Sequence, residues 1–201
     1  MSTNFKTRQI AKNVAAIEVT DGAGAHVQRS IGSARLYNLD PFLMLDEFNV
    51  GLPGGFPDHP HRGFETVTYV LPTSKGHMRH EDFMGNQGAR MEYTIPPTHN
   101  VFVYGVSGKG KCVDGDIEAH EAIVMETEGD GVLLTAAEKE SLEVVVVTGE
   151  PLNEPVFQYG PFVMSSQEDI QMTLRDFDLR TNGFEDAHGW RSEIAPRRRR
   201  G

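Results

Sequence analysis

The sequence predicts an all-β chain, a sandwich or barrel of short strands, completed by one C-terminal amphipathic helix. Three observations carry this expectation. The 201 residues include 21 glycines and 11 prolines, punctuation that suits turns between strands better than a helical bundle. Between these breaks, short apolar and β-branched runs recur as far as residue 147, the pattern of an all-β domain. Ser165-Ser166-Gln167-Glu168 has the form of a capping box, with Ser165 as cap and Glu168 reaching back. Ile170, Leu174 and Phe177 then follow at helical steps.

In chain order, Val14 to Val19 reads as a strand, Asp21-Gly22-Ala23-Gly24 as a turn beside which His26 is structural, and Val27 to Leu36 as the next extended segment. Phe42-Leu43-Met44-Leu45 reads as a short buried strand ended by Asp46 and Glu47, which face opposite ways and take packing or solvated roles. Phe64 to Leu71 alternates with a period of two and is rich in β-branched and aromatic side chains, which predicts a strand. After the turn at Pro72 to Gly76, Met78 to Phe83 is expected to return antiparallel to it. Beyond Gly85-Asn86-Gln87-Gly88, further strands are expected at Arg90 to Ile95, Val101 to Val106, Lys109 to Val113, Ile117 to Thr127, Gly131 to Thr135 and Leu142 to Val147. A Pro-rich connection, Gly149 to Gly160, leads to the helix, which is expected to end near Arg180 to Gly183, where Asn182-Gly183 stops it. Trp190 is expected to pack the tail onto the body.

Composition narrows the function. A chain of 201 residues builds one large domain or two small ones without needing disulfides or a metal to fold. Cys112 is the single cysteine, which fits a reducing compartment and a packed or surface role rather than a nucleophile. The formal net charge of −10 argues against direct nucleic-acid binding, which needs a basic face. Arg197 to Arg200 is a basic exception, read as a solvated tail, with a nuclear-import signal or a polyanion contact as the alternatives. No apolar leader core or membrane-length apolar run is present, so no membrane partner is expected, and the expected location is the cytoplasm, the nucleus or both. There is no P-loop, dinucleotide fingerprint, serine nucleophile elbow or zinc-type cysteine pattern.

The stretch from Gly54 to Val67 holds the one close histidine pair beside a carboxylate. In an extended segment His59 and His61 project to the same side and offer two imidazoles to one point, while Pro60 between them restricts the backbone. Facial sites for non-haem Fe(II) use two imidazoles and a carboxylate, with Glu65 the nearest candidate. A polar turn carrying two exposed histidines is the alternative. His80, on the expected return strand, is a possible replacement ligand. Glu118 and His120, two apart, form a weaker compensating pair beside the reading of an acidic outer strand.

Beyond the histidines, Asp40-Pro41-Phe42-Leu43-Met44-Leu45-Asp46-Glu47-Phe48 and Pro53 to Val67 resemble the signature of the pirin family, within the cupin superfamily. His80-Glu81-Asp82-Phe83, Gly149 to Val156 and Tyr159 to Met164 resemble it too. The resemblance implies a cupin-like jelly-roll fold and an Fe(II) site to which His59 and His61 contribute. It also implies protein partners in transcription-regulatory complexes for some members, and quercetin 2,3-dioxygenase activity on a flavonol for others. Family members are longer, with two barrels, and complete the first iron site with a His-x-Glu pair that this chain lacks. Gly129 to Ala136, where the second barrel would repeat that turn, is apolar. After Gly88 the chain passes directly to Ala89-Arg90-Met91-Glu92-Tyr93, which resembles the interior of the family's second barrel, so an internal block is read as missing. The segments are 1–88, the N-terminal cupin portion with the His-x-His pair; 89–164, the C-terminal cupin portion; and 165–201, the helix and basic tail. The expectation is a single fused barrel with an impaired metal site, acting as a regulator. A dioxygenase, and a shortened variant with little native activity, are the alternatives.

Overall fold

The computed structural model describes residues 5–50, 55–69, 71, 83–85 and 88–191. The chain divides into two compact units, one of Met1–Gly54 with Arg79–Leu152 and one of Gly55–Met78 with Asn153–Gly201. These units follow packing and cut the chain differently from the family-based segments.

The larger unit holds eleven strands: β1 (Ile10–Ala15), β2 (Ile17–Asp21), β3 (Ala25–Ile31), β4 (Leu45–Phe48), β5 (Phe83–Gly85), β6 (Arg90–Thr94), β7 (Asn100–Cys112), β8 (Gly115–Glu118), β9 (Glu121–Met125), β10 (Gly131–Ala136) and β11 (Leu142–Gly149). Eight form one sheet along the path β1-β9-β7-β10-β6, with β11 joining β5 to β7 and β8 pairing with β7; β2, β3 and β4 form a second sheet. The all-β expectation holds, and the cupin-like architecture is organised around β7.

Strand β7 merges two expected strands, because Gly108 bends the chain without ending the ladder. Its first half lies between β9 and β11 and its second between β8 and β10. The register slips between Glu143 and Val144 of β11, so a bulge forms opposite, the usual device where a strand turns from one sheet region to another. Gly108 has φ 78, and a Cβ there would stand 1.8 Å from the Ser141 carbonyl oxygen.

Alternation along β7 builds two cores at once. Val101 and Val103 face a cluster with Ile117, Ile123, Val132, Leu134 and Leu142, while Phe102 and Tyr104 face a second with Val14, Ile31, Ala122 and Val124. A sheet buried on both faces needs an apolar residue at every step, which is why Val101 to Val106 shows a continuous run. Cys112 sits in the first cluster, fully buried, and burial pushes its thiol pKa up to about 12. The native protein is therefore expected to resist iodoacetamide at pH 8 and to react once unfolded, as read by intact mass; rapid native alkylation would contradict the packing.

Several expectations change. Val14 to Val19 is split between β1 and β2, and Ile117 to Thr127 between β8 and β9 by a turn at Ala119-His120, where His120 has φ 63. Phe42 to Leu45 is not a buried strand: Met44 is exposed, and β4 starts at Leu45 and runs through the acidic pair. Asp46 and Glu47 can occupy a strand because each has its own partner, described below. Phe64 to Thr68 and Tyr69 form no strand. A period of two sets facing, but a ladder needs a neighbour; the return segment, Met78 to Asp82, lies outside the described residues, and Phe83–Gly85 pairs with β11 instead.

The smaller unit contains β12 (Phe157–Tyr159), β13 (Phe162–Met164) and the helix α1 (Gln167–Leu179). The predicted helix is present, with its cap one residue later than expected. Ser166 is the N-cap, its Oγ accepting the Asp169 amide at 3.0 Å and donating to Asp169 Oδ2 at 2.7 Å, while Ser165 donates to Glu154. Two adjacent serines give overlapping boxes, and the acidic residue at 169 selects the second. Arg180 ends the helix with φ 59. Ile170, Leu174 and Phe177 pack with Phe162 and Phe184. Trp190 does not pack the tail: it is 57% exposed, and Phe184 and His188 cover Phe177 instead. Arg197 to Arg200 lie outside the described residues, and no described helix is long and apolar enough to cross a membrane.

Candidate metal centre

His59 and His61 meet as their spacing predicts. The ring centroids are 4.6 Å apart and the two Nε2 atoms 2.7 Å apart. His59 Nδ1 lies 2.6 Å from the Pro57 carbonyl oxygen, which can only accept, so Nδ1 carries the proton and His59 Nε2 presents its lone pair. His61 Nε2–H then donates to it. The His61 ring also leans on Phe64 at 4.7 Å. Partial desolvation first, and the neighbouring His59 second, hold the His61 pKa below its ordinary value.

The backbone beneath the pair is fastened by the residue after it. Arg62 donates its N–H to the Pro161 carbonyl and accepts from the Val163 amide at 2.9 Å, adding a parallel bridge to β13. Its guanidinium donates to Asp176 Oδ2 at 2.9 Å and to the Asn182 carbonyl, and lies 4.0 Å over the Phe184 ring. A partly buried Arg–carboxylate pair backed by cation–π contact is a strong local tie. Arg62 in turn holds the Asp176 carboxyl below the usual carboxylate range, with Asn182 assisting. Gly63 allows the crossing, since with φ +89 a Cβ would stand 1.6 Å from the Val163 carbonyl oxygen.

The other candidate ligands do not assemble around the pair. Glu65 is exposed on irregular chain, and no group of three or more His, Cys, Asp or Glu that could hold a metal forms among the described residues. His80, like His77 and Glu81, lies outside the described residues. Glu118 and His120 do not share a strand face: Glu118 ends β8 and pairs with Lys109 at 2.9 Å, whereas His120 occupies the turn.

His120 belongs to a cluster in the larger unit that sequence reading missed. Glu47 Oε2 accepts from Tyr104 Oη at 2.6 Å and from His120 Nδ1 at 2.8 Å. Burial, then the Glu47 hydrogen bond, push the Tyr104 pKa upward and keep the phenol protonated. Asp46, on the opposite face of β4, is held by Arg29 through hydrogen bonds of 2.8 and 2.6 Å. Residues so far apart in sequence leave no local signal of their meeting; only the alternation of Asp46 and Glu47 was readable.

Comparison with known proteins agrees with this architecture. Residues 24–93 match the pirin family model and residues 81–183 the pirin C-terminal cupin domain. Pirin of Mus musculus is 31% identical over 288 aligned positions, covering 94% of this chain and 98% of its own length. That alignment is longer than the 201-residue chain, so the relative carries positions without a counterpart here. A putative quercetin 2,3-dioxygenase of Pseudomonas aeruginosa is 27% identical over 269 positions, covering 79% of this chain and 92% of its own. A crystal structure of quercetin 2,3-dioxygenase from Acinetobacter baumannii shares the fold with a TM-score of 0.57 at 11% identity, covering 96% of this chain and 97% of that one. Matched by one family model over half its length and by a 31%-identical relative nearly end to end, the chain belongs to the pirin family of cupin proteins.

Proposed function

We propose that the chain is a pirin-type regulatory protein acting through protein partners, with its metal site reduced to the His59–His61 pair. The observation that carries this reading is the meeting of two exposed imidazoles, Nε2 to Nε2 at 2.7 Å, with no third donor gathered among the described residues. Two nitrogens bound at right angles to one ion at about 2.05 Å stand about 2.9 Å apart. The separation thus suits two neighbouring positions of an octahedral sphere once the His61 proton moves from Nε2 to Nδ1 and both rings turn so that their lone pairs converge on the ion. The remaining positions have no described protein donor, and two imidazoles alone neither hold nor aim Fe(II) firmly. No oxygen-activating step rests on these residues. A role exercised through a protein surface survives such a loss better than catalysis does. By family likeness the partners are transcription-regulatory complexes, and the place of action is the nucleus, the cytoplasm or both.

The name of the Pseudomonas aeruginosa relative favours a second reading, an Fe(II)-dependent dioxygenase acting on a flavonol such as quercetin. A third, a shortened variant with little native activity, predicts neither partner nor turnover. Metal analysis of the purified chain, before and after anaerobic addition of Fe(II), separates them. The regulator predicts iron well below one per chain, unchanged folding after chelation, no quercetin-dependent oxygen uptake, and recovery of a specific partner. One iron per chain, lost in His59→Ala and accompanied by oxygen uptake on quercetin, would establish the enzyme instead.

A further inference from the structure

Strand β6 closes one end of the eight-stranded path. β10 pairs with it on one side, and no strand pairs with the other among the described residues. The Ala89 carbonyl accepts from Ala136 and the Ile95 amide donates to Asp130, both at 2.9 Å, so residues 89, 91, 93 and 95 direct their backbone groups toward β10. Backbone groups alternate along a strand. Arg90, Glu92 and Thr94 therefore turn their N–H and C=O groups outward. An edge that no described strand covers is a template for another strand.

The side chains decide which strand fits. Arg90 and Glu92 lie on one face, 3.6 Å apart, with side chains 64% and 49% exposed, and an ion pair that open is weak and free to re-form elsewhere. We infer that β6 pairs antiparallel with β6 of a second copy of this chain, about a two-fold axis at Met91. Only outward-facing residues can exchange hydrogen bonds across the new edge, which restricts the register. Centring the pair on Arg90 or on Glu92 sets like charges directly opposite, and centring it on Tyr93 sets Glu92 against Thr94. Centring it on Met91 sets Arg90 against Glu92 of the second copy, and the two-fold repeats that pairing. Four backbone hydrogen bonds and two cross-strand ion pairs result, the self-complementary arrangement that a two-fold interface requires.

Sedimentation velocity of the full chain over a wide concentration range tests this. The wild type is expected to dimerise reversibly. Arg90→Glu and Glu92→Arg, each placing like charges opposite, are expected to raise the dimer Kd about tenfold, the equivalent of about 1.4 kcal/mol. An equimolar mixture of the two variants restores both ion pairs between chains, and the double variant Arg90→Glu/Glu92→Arg restores them within one species; both are expected to dimerise like the wild type. Recovery on mixing also requires both variants to be folded. A wild type that stays monomeric throughout, single variants that associate unchanged, or a mixture and double variant that fail to recover would each overturn the inference.

Discussion

Replacing Gly63 by alanine is expected to destabilise the smaller unit by at least about 3 kcal/mol and to misalign the imidazole pair. Two effects add. The φ of +89 is strained for any residue with a Cβ, and that Cβ would lie 1.6 Å from the Val163 carbonyl oxygen, a collision with backbone that no side-chain rotation relieves. Relief requires the chain to lift off β13, which breaks the Val163-to-Arg62 hydrogen bond of 2.9 Å. Denaturant unfolding gives the stability change, and the imidazole NMR lines of His59 and His61 report the local geometry. A loss below about 0.5 kcal/mol with unchanged lines would mean that the crossing at Gly63 is not as close as described.

Arg8→Met is expected to cost the larger unit about 3 kcal/mol or more. Arg8 is fully buried, and its guanidinium donates to the carbonyls of His99 at 2.8 Å, Pro96 at 3.0 Å and Gly129 at 3.4 Å. Among the described residues no carboxylate joins these bonds, and the charge is met by backbone carbonyls. Methionine matches much of the stem but removes the guanidinium donors from the His99 and Gly129 carbonyls, while the Pro96 carbonyl keeps the His99 amide at 3.0 Å; each unsatisfied buried acceptor costs about 1–3 kcal/mol. Arg8→Lys is expected to recover only part of the loss, because a point charge on a flexible stem does not span the three acceptors as a planar fork does. The shift in urea midpoint measures both variants. A loss under about 1 kcal/mol for Arg8→Met would show that water or relaxation satisfies those carbonyls.

What could be read from the residues was whatever depends on near neighbours in the chain. The helix was legible because its cap, its apolar stripe and its end near Arg180 all lie within twenty residues of one another; the choice between two adjacent serines escaped, as did the left-handed Arg180, which caps the helix before Asn182-Gly183 is reached. The paired imidazoles were legible because a spacing of two and an intervening proline determine their facing locally. Phe64 to Leu71 shows the limit of the same logic: its alternation is genuine, yet strand formation depends on a neighbour, and Gly63 turns the chain just before it begins. Arg8 was invisible because burial of an arginine depends on carbonyls some ninety to one hundred and twenty residues away. The Glu47, Tyr104 and His120 cluster was invisible for the same reason, with partners brought together by strand register, which pattern alone does not specify.

The histidine stretch and the residues that fasten it are far apart in the chain. Arg62 and Asp176 are separated by 114 positions, and the smaller unit is made from Gly55–Met78 and Asn153–Gly201. At a synthesis rate of roughly 5–20 residues per second, a nascent chain carries His59 and His61 without their anchor for several seconds or longer. During that interval the imidazoles share a side of polypeptide that nothing yet fastens, and the backbone beneath them is tied down only when the ribosome has delivered the helix.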